Sequence, residues 1–187
     1  MSKDDDKSYH KYYDLETYLF ETVGERFHRD GSLSAFDFFC IVIWKANRAK
    51  SNIARRLLRH EGVADLEEAA RKLTGAIATQ PSPEARLNVL MKEWGFLLPM
   101  ASAILTVLYP NEFTVYDYRV RKQVGCRDLG SMGPRHIWPE YQSFKRKVEE
   151  MPEIPAGLSL RDKDRFLSGK SFCEQLKDDI SKSFGVP

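Results

Sequence analysis

Residues 94–120 read WGFLLPMASAILTVLYPNEFTVYDYRV and carry the clearest structural signal in the chain. A glycine and a proline predict a tight turn, and the apolar run behind them predicts a helix over about 100–109. A short extended segment, 113–116, should follow and deliver the carboxylate of Asp117 next to Arg119. An acid in that setting, with basic residues behind it, is placed to meet a cationic centre close to a polyanion.

This order of elements resembles the helix-hairpin-helix DNA glycosylases. In that family a hairpin L-P-G-V-G-x-K-x-A precedes a helix, and the segment V-D-x-H-V-x-R-V with the catalytic aspartate follows. Aligning Asp117 with that aspartate and counting back without a gap places Ala101 on the hairpin's alanine and Gly95 on its first glycine. The second glycine falls on Leu97, and the lysine that forms a Schiff base in bifunctional members falls on Pro99. The hairpin is therefore a degraded version of the family's.

The resemblance implies an enzyme that flips a damaged or modified base out of duplex DNA and cleaves its bond to the sugar. Asp117 would stabilise the positive charge that develops on the deoxyribose and would activate water. Because proline has no amine, the resemblance implies a monofunctional glycosylase without β-lyase activity. A simpler interpretation of Asp117 is that it caps the helix that follows it.

In the family, the hairpin presents backbone N–H groups to a DNA phosphate beside the N-terminus of the following helix. The phosphate-binding groups expected here are Gly95, the amides of Leu98, Met100 and Ala101, and Ser102. The side chains of Leu97 and Leu98 limit how closely a phosphate can approach, so binding should be weakened or altered. The alternative is that these leucines are core residues, which we expect of one of them rather than both.

The helix predicted over 35–46 ends in a turn that resembles the part of the family that fills the space left by the flipped base. The alignment places Lys45 where relatives often carry a plug glutamine. Asn47 and Arg48 would then contact the opposite strand, with Lys50 close by. An exposed helix end with these residue types is also common in proteins that bind no nucleic acid.

A flipped base needs a pocket with aromatic faces. The candidates are Trp44, Tyr116, Tyr118 and Trp138. Trp138 is favoured for base contact because it lies in a loop rich in glycine and proline, 125–139. Phe36, Phe38 and Phe39 lie on the helix at 35–46, which is apolar nearly all round, and are predicted to belong to the core.

The net charge of +2 conceals a segregated distribution. The stretch 45–59 contains no acidic residue, and its basic residues are Lys45, Arg48, Lys50, Arg55, Arg56 and Arg59. The second group comprises Arg119, Arg121, Lys122, Arg127 and Arg135. The acids gather at 4–6, at 61–68 and near Asp178. Such segregation fits a face turned toward a polyanion, and the expected partner is double-stranded DNA with a modified or damaged base, contacted in part by the residues that follow Asp117.

Cys40, Cys126 and Cys173 are widely spaced and form no C-x-x-C pair. They favour a reducing compartment, and they provide neither a disulfide framework nor the four-cysteine iron–sulfur site of some relatives. The histidines are scattered, so neither a metal nor another cofactor is expected. The sequence has no apolar run of about 18 residues that could span a membrane, and its acidic start is no secretion signal. We expect an intracellular monomer, in the cytoplasm or nucleoid.

Capping residues predict where several helices begin. Ser34 with Asp37 three residues on resembles a capping box. Asp65 should open a helix that ends near Gly75, and Ser82 should open one that begins with a proline and runs to about residue 94. Near the C-terminus, Asp162 or Asp164 is expected to cap a helix or pair with an arginine.

The fold class expected is all-α, with about eight to ten helices. Residues 1–9 should form a disordered tail and 10–187 a single unit. The resemblance implies a two-lobed helical bundle of the helix-hairpin-helix DNA glycosylase type. Its central lobe would cover about 35–114, and its second lobe would combine 10–34 with 115–187. The hairpin and Asp117 would lie in the cleft between the lobes.

Two other functions remain open. The degraded hairpin favours a non-catalytic DNA-binding protein that kept the fold, and a small all-α interaction protein unrelated to DNA is the third. An acid retained at a DNA-facing surface favours catalysis, because otherwise it would only repel phosphate. The sequence leaves the excised base open among oxidised purines, alkylated bases, mismatched uracil or thymine, and bulky modified cytosines. The unusual hairpin would suit a specialised branch that acts on foreign DNA, and the sequence leaves DNA repair and defence both open.

Overall fold

The computed structural model describes residues 9–60 and 62–185 and has no β-strand within those ranges. The all-α fold class is therefore confirmed. The predicted disordered tail, 1–9, lies outside the described residues apart from Tyr9, which opens a short 3-10 turn, Tyr9–Tyr12. Within the described ranges, no helix is long and apolar enough to cross a membrane.

Ten α-helices follow one another along the described chain. The first two, α1 (Leu15–Tyr18) and α2 (Gly24–Asp30), are joined by a π-helical turn, Leu19–Val23. Next come α3 (Ala35–Ala46), a 3-10 turn (Asn47–Ala49), α4 (Lys50–Leu57), α5 (Leu66–Ala78), and α6 (Pro83–Asn88) with a π-helical extension, Val89–Glu93. The remainder forms α7 (Leu98–Leu108), α8 (Tyr118–Gln123), α9 (Ile137–Glu149), α10 (Leu160–Ser181) and a last 3-10 turn, Ser183–Gly185.

The three predicted helix starts are confirmed. Ser34, Asp65 and Ser82 each accept a hydrogen bond from the backbone amide three residues on, at 2.8–3.2 Å. The predicted end of α5 near Gly75 is wrong, since the helix continues to Ala78. Burial of the apolar side chains on both sides of this glycine outweighs its low helix propensity, which is worth only about 1 kcal/mol.

Asp37 does not complete a capping box with Ser34. Its carboxylate is buried and accepts hydrogen bonds from the hydroxyl of Tyr18 at 2.7 Å and from the guanidinium of Arg26 at 3.3 Å. The sequence pattern correctly predicted the hydrogen bond from the Asp37 backbone N–H to the Ser34 hydroxyl. The side chain instead ties α3 to the first two helices.

The core is built around α7, which is buried along its whole length. Helices α2, α3 and α6 pack against it. The crossing of α2 is close, because a Cβ atom at Gly24 would lie 3.1 Å from the carbonyl oxygen of Val107. A glycine at this position therefore lets the two backbones approach.

The three phenylalanines of α3 do not share one environment. Phe38 is fully buried and Phe39 packs against the core, as predicted. Phe36 is 56% exposed, with its ring edge against Tyr12, so its assignment to the core is wrong. Residues two apart on a helix point to opposite sides, so an all-round apolar pattern could not tell which side was outside.

The last long helix, α10, packs against α8 and α9. Near its start, Arg161 also reaches back to Glu16 of α1, with 2.6 Å between the guanidinium and a carboxylate oxygen. The first and last α-helices of the described chain are therefore joined beside the C-terminal end of α3. This junction forms one wall of the site described next.

Candidate active site

Asp117 stands at the end of an extended segment, 113–117, whose backbone is held by side chains instead of by a sheet. The N–H of Tyr116 donates to Ser102 Oγ of α7 at 2.9 Å. Ser102 is fully buried, and its hydroxyl also donates to the carbonyl of Pro99 at 3.3 Å. One serine of the buried helix therefore fixes the residue before Asp117.

The two preceding residues of this segment are held as firmly. The phenolic oxygen of Tyr141 accepts from the Thr114 N–H at 2.9 Å and donates to the Thr114 carbonyl at 2.7 Å. The N–H of Val115 donates to Asp164 of α10 at 3.3 Å. Because buried backbone groups need partners, these side chains substitute for a strand and leave little freedom in the position of Asp117.

The carboxylate of Asp117 has two partners. Oδ1 accepts from the N–H of Arg119 at 2.7 Å and so caps α8. Oδ2 lies 3.0 Å from Nζ of Lys45, the penultimate residue of α3. The capping interpretation of Asp117 is thus correct but incomplete, because the same group forms an ion pair with a side chain 72 residues away.

The pair is sheltered, with 31% of the Asp117 side chain and 14% of the Lys45 side chain exposed. Burial alone would raise the pKa of Asp117, but the Lys45 ammonium, its hydrogen bond and the Arg119 amide outweigh burial and hold that pKa below its usual value. Asp117 is therefore ionised at neutral pH, the form needed to stabilise a cation.

A cavity of about 460 Å³ opens beside this pair. Helix α3 contributes Trp44 and Lys45, and the segment leading into α8 contributes Val115, Asp117, Arg119 and Val120. The opposite wall is made by Glu16 of α1 and by Arg161, Asp164, Arg165, Ser168, Gly169 and Phe172 of α10. The cavity lining thus combines the aromatic rings of Trp44 and Phe172 with charged groups of both signs.

The α10 wall has its own buried network. Arg161 lies against the rings of Phe20 and Trp44, 4.9 Å and 5.2 Å from their centroids, and forms ion pairs with Asp164 and Glu16. Burial raises the pKa of Asp164 to about 6, although Arg161 acts in the opposite direction. The expectation that an acid here pairs with an arginine is confirmed, and the arginine in turn holds the indole of Trp44 in place.

Of the four aromatic residues predicted for a base pocket, only Trp44 lines this cavity. Tyr116 is buried and its hydroxyl accepts from the N–H of Leu129 at 2.6 Å. Tyr118 is 55% exposed, beneath the side chains of Arg121 and Lys122. Trp138, the favoured candidate, is half-buried and packs on Phe113 and Tyr141 against the core. The rings of Tyr116 and Trp138 are thus used in packing, and their roles in a base pocket stay predictions.

The turn before α7 has the glycine conformation expected of it, since Gly95 has φ 66°. Leu97 is 59% exposed and Leu98 is fully buried, so one of the two leucines is a core residue, as expected. The amides of Met100 and Ala101, however, already donate to the Leu97 carbonyl, at 3.1 and 3.0 Å.

These bonds change the list of groups that could hold a phosphate. Met100, Ala101 and Ser102 are buried, and the Ser102 hydroxyl has the two partners described above. The structure therefore leaves Gly95 as the exposed member of the predicted set, whereas Leu98, at the first turn of α7, is buried. A Cβ at Gly95 would lie 3.6 Å from a guanidinium nitrogen of Arg56, so the basic face of α4 borders this turn.

The predicted plug turn contains the 3-10 turn Asn47–Ala49, which follows α3 directly, and Asn47, Arg48 and Lys50 are exposed. The Lys50 ammonium donates to the side-chain carbonyl of Asn47 at 2.8 Å. Lys45 differs from its neighbours, because its side chain turns inward to Asp117. Its role in filling the duplex stays a prediction, and in this structure the side chain pairs with Asp117.

The basic residues after Asp117 also differ in how exposed they are. Arg119 and Lys122 are exposed, and Arg119 lines the cavity. Arg121 is only 19% exposed, with its guanidinium 3.4 Å from the carbonyl of Cys126. Arg121 thus supports the loop that follows α8, whereas Arg119 is available beside the carboxylate.

Within the described ranges, no three His, Cys, Asp or Glu side chains come together as a metal site. Comparisons of the chain with protein-family models, with curated proteins and with solved structures give no match.

Proposed function

We propose that this protein is a DNA glycosylase that flips a damaged or modified base into the cavity beside Asp117 and hydrolyses its bond to deoxyribose. The observation that carries the proposal is a sheltered, ionised carboxylate at the wall of a cavity whose mouth is flanked by exposed basic residues. Binding pockets of small ligands commonly measure about 300–1,000 Å³. The volume of this cavity suits a nucleobase.

The chemistry follows from where charge develops. Cleavage of the base–sugar bond leaves positive charge on the sugar, and a carboxylate fixed in advance stabilises that charge without having to reorganise. Asp117 is fixed by its capping bond to Arg119 and by the hydrogen bonds of the segment that carries it. The same carboxylate can deprotonate or orient the attacking water.

The indole of Trp44 supplies an aromatic ring in the cavity lining, with the guanidinium of Arg161 5.2 Å from its centroid. A base stacked on such a ring gains about 1–3 kcal/mol, and this gain offsets part of the cost of unstacking it from the duplex. We assign base binding to this residue, and opposite-strand contacts to Asn47 and Arg48 on the exposed turn directly behind it.

The proposal includes a duplex track over the surface. Arg48 and Lys50 follow α3, the helix that carries Lys45. Arg119 and Lys122 belong to α8, the helix that Asp117 caps. The two basic groups therefore adjoin the two partners of the Lys45–Asp117 pair. Phosphates lying on both elements would bring the DNA over the cavity mouth, with Gly95 and Arg56 as a further contact. In this proposal the bundle is two-lobed and acts as a monomer on cellular DNA, in the cytoplasm or nucleoid.

A non-catalytic DNA-binding protein is the second candidate, and one observation favours it. The Lys45 ammonium neutralises the carboxylate at 3.0 Å. An acid that is paired in this way repels phosphate less than a free one, so its presence beside DNA does not by itself require catalysis. The two functions predict the same binding and differ only in whether a base is released.

The test is a panel of labelled duplexes, each with one defined modified or mismatched base, incubated with the protein and cleaved with alkali at any abasic site. Strand cleavage by the wild type at one type of base, lost in Asp117→Asn, supports the proposal. Duplex binding with the expected salt dependence and no base release across the panel would favour the non-catalytic alternative. Absence of both would exclude the two DNA functions together.

A further inference from the structure

One face of α10 lines the cavity, with the residue spacing of a helix. Its members are Arg161, Asp164, Arg165, Ser168, Gly169 and Phe172. Arg161 forms ion pairs with Asp164 and Glu16. Arg165 also pairs with Glu16, at 3.2 Å. Two arginines balance two acids on this wall, so it has no surplus charge for a phosphate and fits an uncharged group such as a base.

Gly169 is the unusual residue of this face. It lies in the interior of α10, where its backbone is helical and does not have the left-handed conformation that favours glycine. Glycine is the poorest helix former after proline. An alanine could adopt the same backbone and would favour the helix, so local conformation gives no reason for a glycine here.

Packing within the protein gives no reason either. The described ranges hold two other glycines inside α-helices, Gly24 and Gly75. A Cβ at Gly24 would lie 3.1 Å from the carbonyl oxygen of Val107, and one at Gly75 would lie 4.0 Å from that of Gly31. Apart from its chain neighbours and its own helix backbone, a Cβ at Gly169 would have no heavy atom of the described residues within 4 Å. The space that a side chain would fill there is therefore open.

This open space belongs to the cavity. Helical side chains point toward the N-terminus and cover the preceding turn, so a side chain at position 169 would lie over the turn that carries Arg165. Both positions line the cavity. A base whose sugar is at Asp117 extends from that carboxylate into the cavity, where α10 is one of the walls. The missing side chain thus leaves room for a group that projects from the base toward α10.

We propose that Gly169 determines substrate specificity, by making room in the cavity wall for a substituent on the flipped base. The substrate class is then a base that carries an added group, and mismatched uracil is a poor substrate. This rests on the proposed function, because the cavity must receive a base. Glycine is used here as it is elsewhere in proteins, where a ligand comes close to the backbone.

The experiment compares bases with and without an added group in otherwise identical duplexes. The pairs are cytosine and hydroxymethylcytosine, adenine and ethenoadenine, and guanine and methylguanine. Each base is placed opposite a tetrahydrofuran abasic analogue, so that base pairing favours neither member. Affinity is measured by fluorescence anisotropy. The wild type should bind the substituted member of at least one pair about 10–200-fold more tightly, the range for a small group in a fitted pocket.

Gly169→Leu should abolish this preference, because its side chain fills the space that the substituent would occupy. The affinity for the unsubstituted member should be retained. Since Gly169 is exposed, the larger residue should not disturb folding. A preference that survives in Gly169→Leu, or a wild type that discriminates within no pair, would overturn the inference.

Gly169→Ala and Gly75→Ala form a matched comparison. Each replaces a glycine inside a helix, so each should raise Tm by about 2–4 °C. Gly169→Ala should also reduce the preference for the substituted base, whereas Gly75→Ala, outside the cavity lining, should leave it unchanged. A glycine needed only for structure would give the reverse result, with a lower Tm and an unchanged preference.

Base release from the same duplexes separates this inference from the proposed function. Equal release of both members of every pair by the wild type and by Gly169→Leu would refute the role of Gly169 and leave the glycosylase proposal standing. A binding preference that is lost in Gly169→Leu, with no base released from any duplex, would support the role of Gly169 in recognition and refute base excision.

Discussion

Replacement of Asp117 by asparagine tests the centre of the proposed mechanism. The change keeps the size of the side chain and removes its charge. Asparagine is as good a helix cap as aspartate, so the 2.7 Å bond from the Arg119 amide should be retained. The fold should survive while the electrostatic contribution is lost.

The expected magnitude has two parts. Loss of one preorganised group at a charge-developing centre typically costs roughly 3–4 kcal/mol, or about 10²–10³ in rate. The variant also leaves Lys45, only 14% exposed, without its carboxylate. An unpaired polar group of this kind costs about 1–3 kcal/mol, which at roughly 2–4 °C per kcal/mol predicts a Tm about 2–12 °C lower.

The assay is single-turnover base release on the best duplex of the panel, with binding measured in parallel. DNA affinity should stay the same or rise, because a negative charge near phosphates is removed. The matched control is Asp65→Asn, which changes the capping carboxylate of α5, 2.8 Å from the Glu68 amide and outside the cavity lining. Base release by Asp117→Asn at the wild-type rate would refute the reasoning.

Ser102→Ala should lower the free energy of unfolding by about 1–3 kcal/mol, because the buried amide beside Asp117 loses its acceptor; calorimetry measures this, and an unchanged Tm would show that the segment is held by other means. Trp44→Ala should weaken binding of lesion DNA by about 1–3 kcal/mol, whereas Trp138→Ala should lower Tm without changing affinity, and equal effects on affinity would contradict the cavity. Arg48→Ala should flatten the slope of log affinity against log salt by roughly 0.9, and an unchanged slope would mean that its turn faces away from DNA. The pKa of Asp117 is lowered in the folded state, so the stability difference between the wild type and Asp117→Asn should be complete above the usual carboxyl pKa near 4 and should shrink as pH falls below it. Denaturant titrations from pH 3 to 7 measure this difference. A difference that grows in acid would contradict the lowered pKa.

Local patterns predicted the helices well because the forces that start and stop a helix act over a few residues. Ser34, Asp65 and Ser82 cap their helices as expected. The failures involved residues whose environment depends on distant parts of the chain. Phe36 and Phe38 lie two positions apart on the same apolar helix, yet the first is 56% exposed and the second is fully buried.

The site was predicted only in part for the same reason. Asp117 stood out because it follows an extended segment and precedes basic residues, and both signals lie within a few positions. Lys45 was singled out as a basic residue at a helix end, with no indication that it would turn inward. Its actual neighbour is 72 positions away, and no local period or spacing encodes such a contact.

The sequence by itself determined that this chain is helical, that the helices over 35–46 and about 100–109 are strongly apolar, and that a carboxylate follows the second of them into a basic segment. These properties depend on hydrophobic pattern, capping groups and charge order, which are local. Only the tertiary structure decided that Lys45 meets Asp117 and that α10 closes the cavity through Arg161. It also decided that the Ser102 hydroxyl accepts a hydrogen bond from the backbone of Tyr116. Such contacts depend on how helices cross, because a crossing sets which side chains of distant segments come within bonding distance.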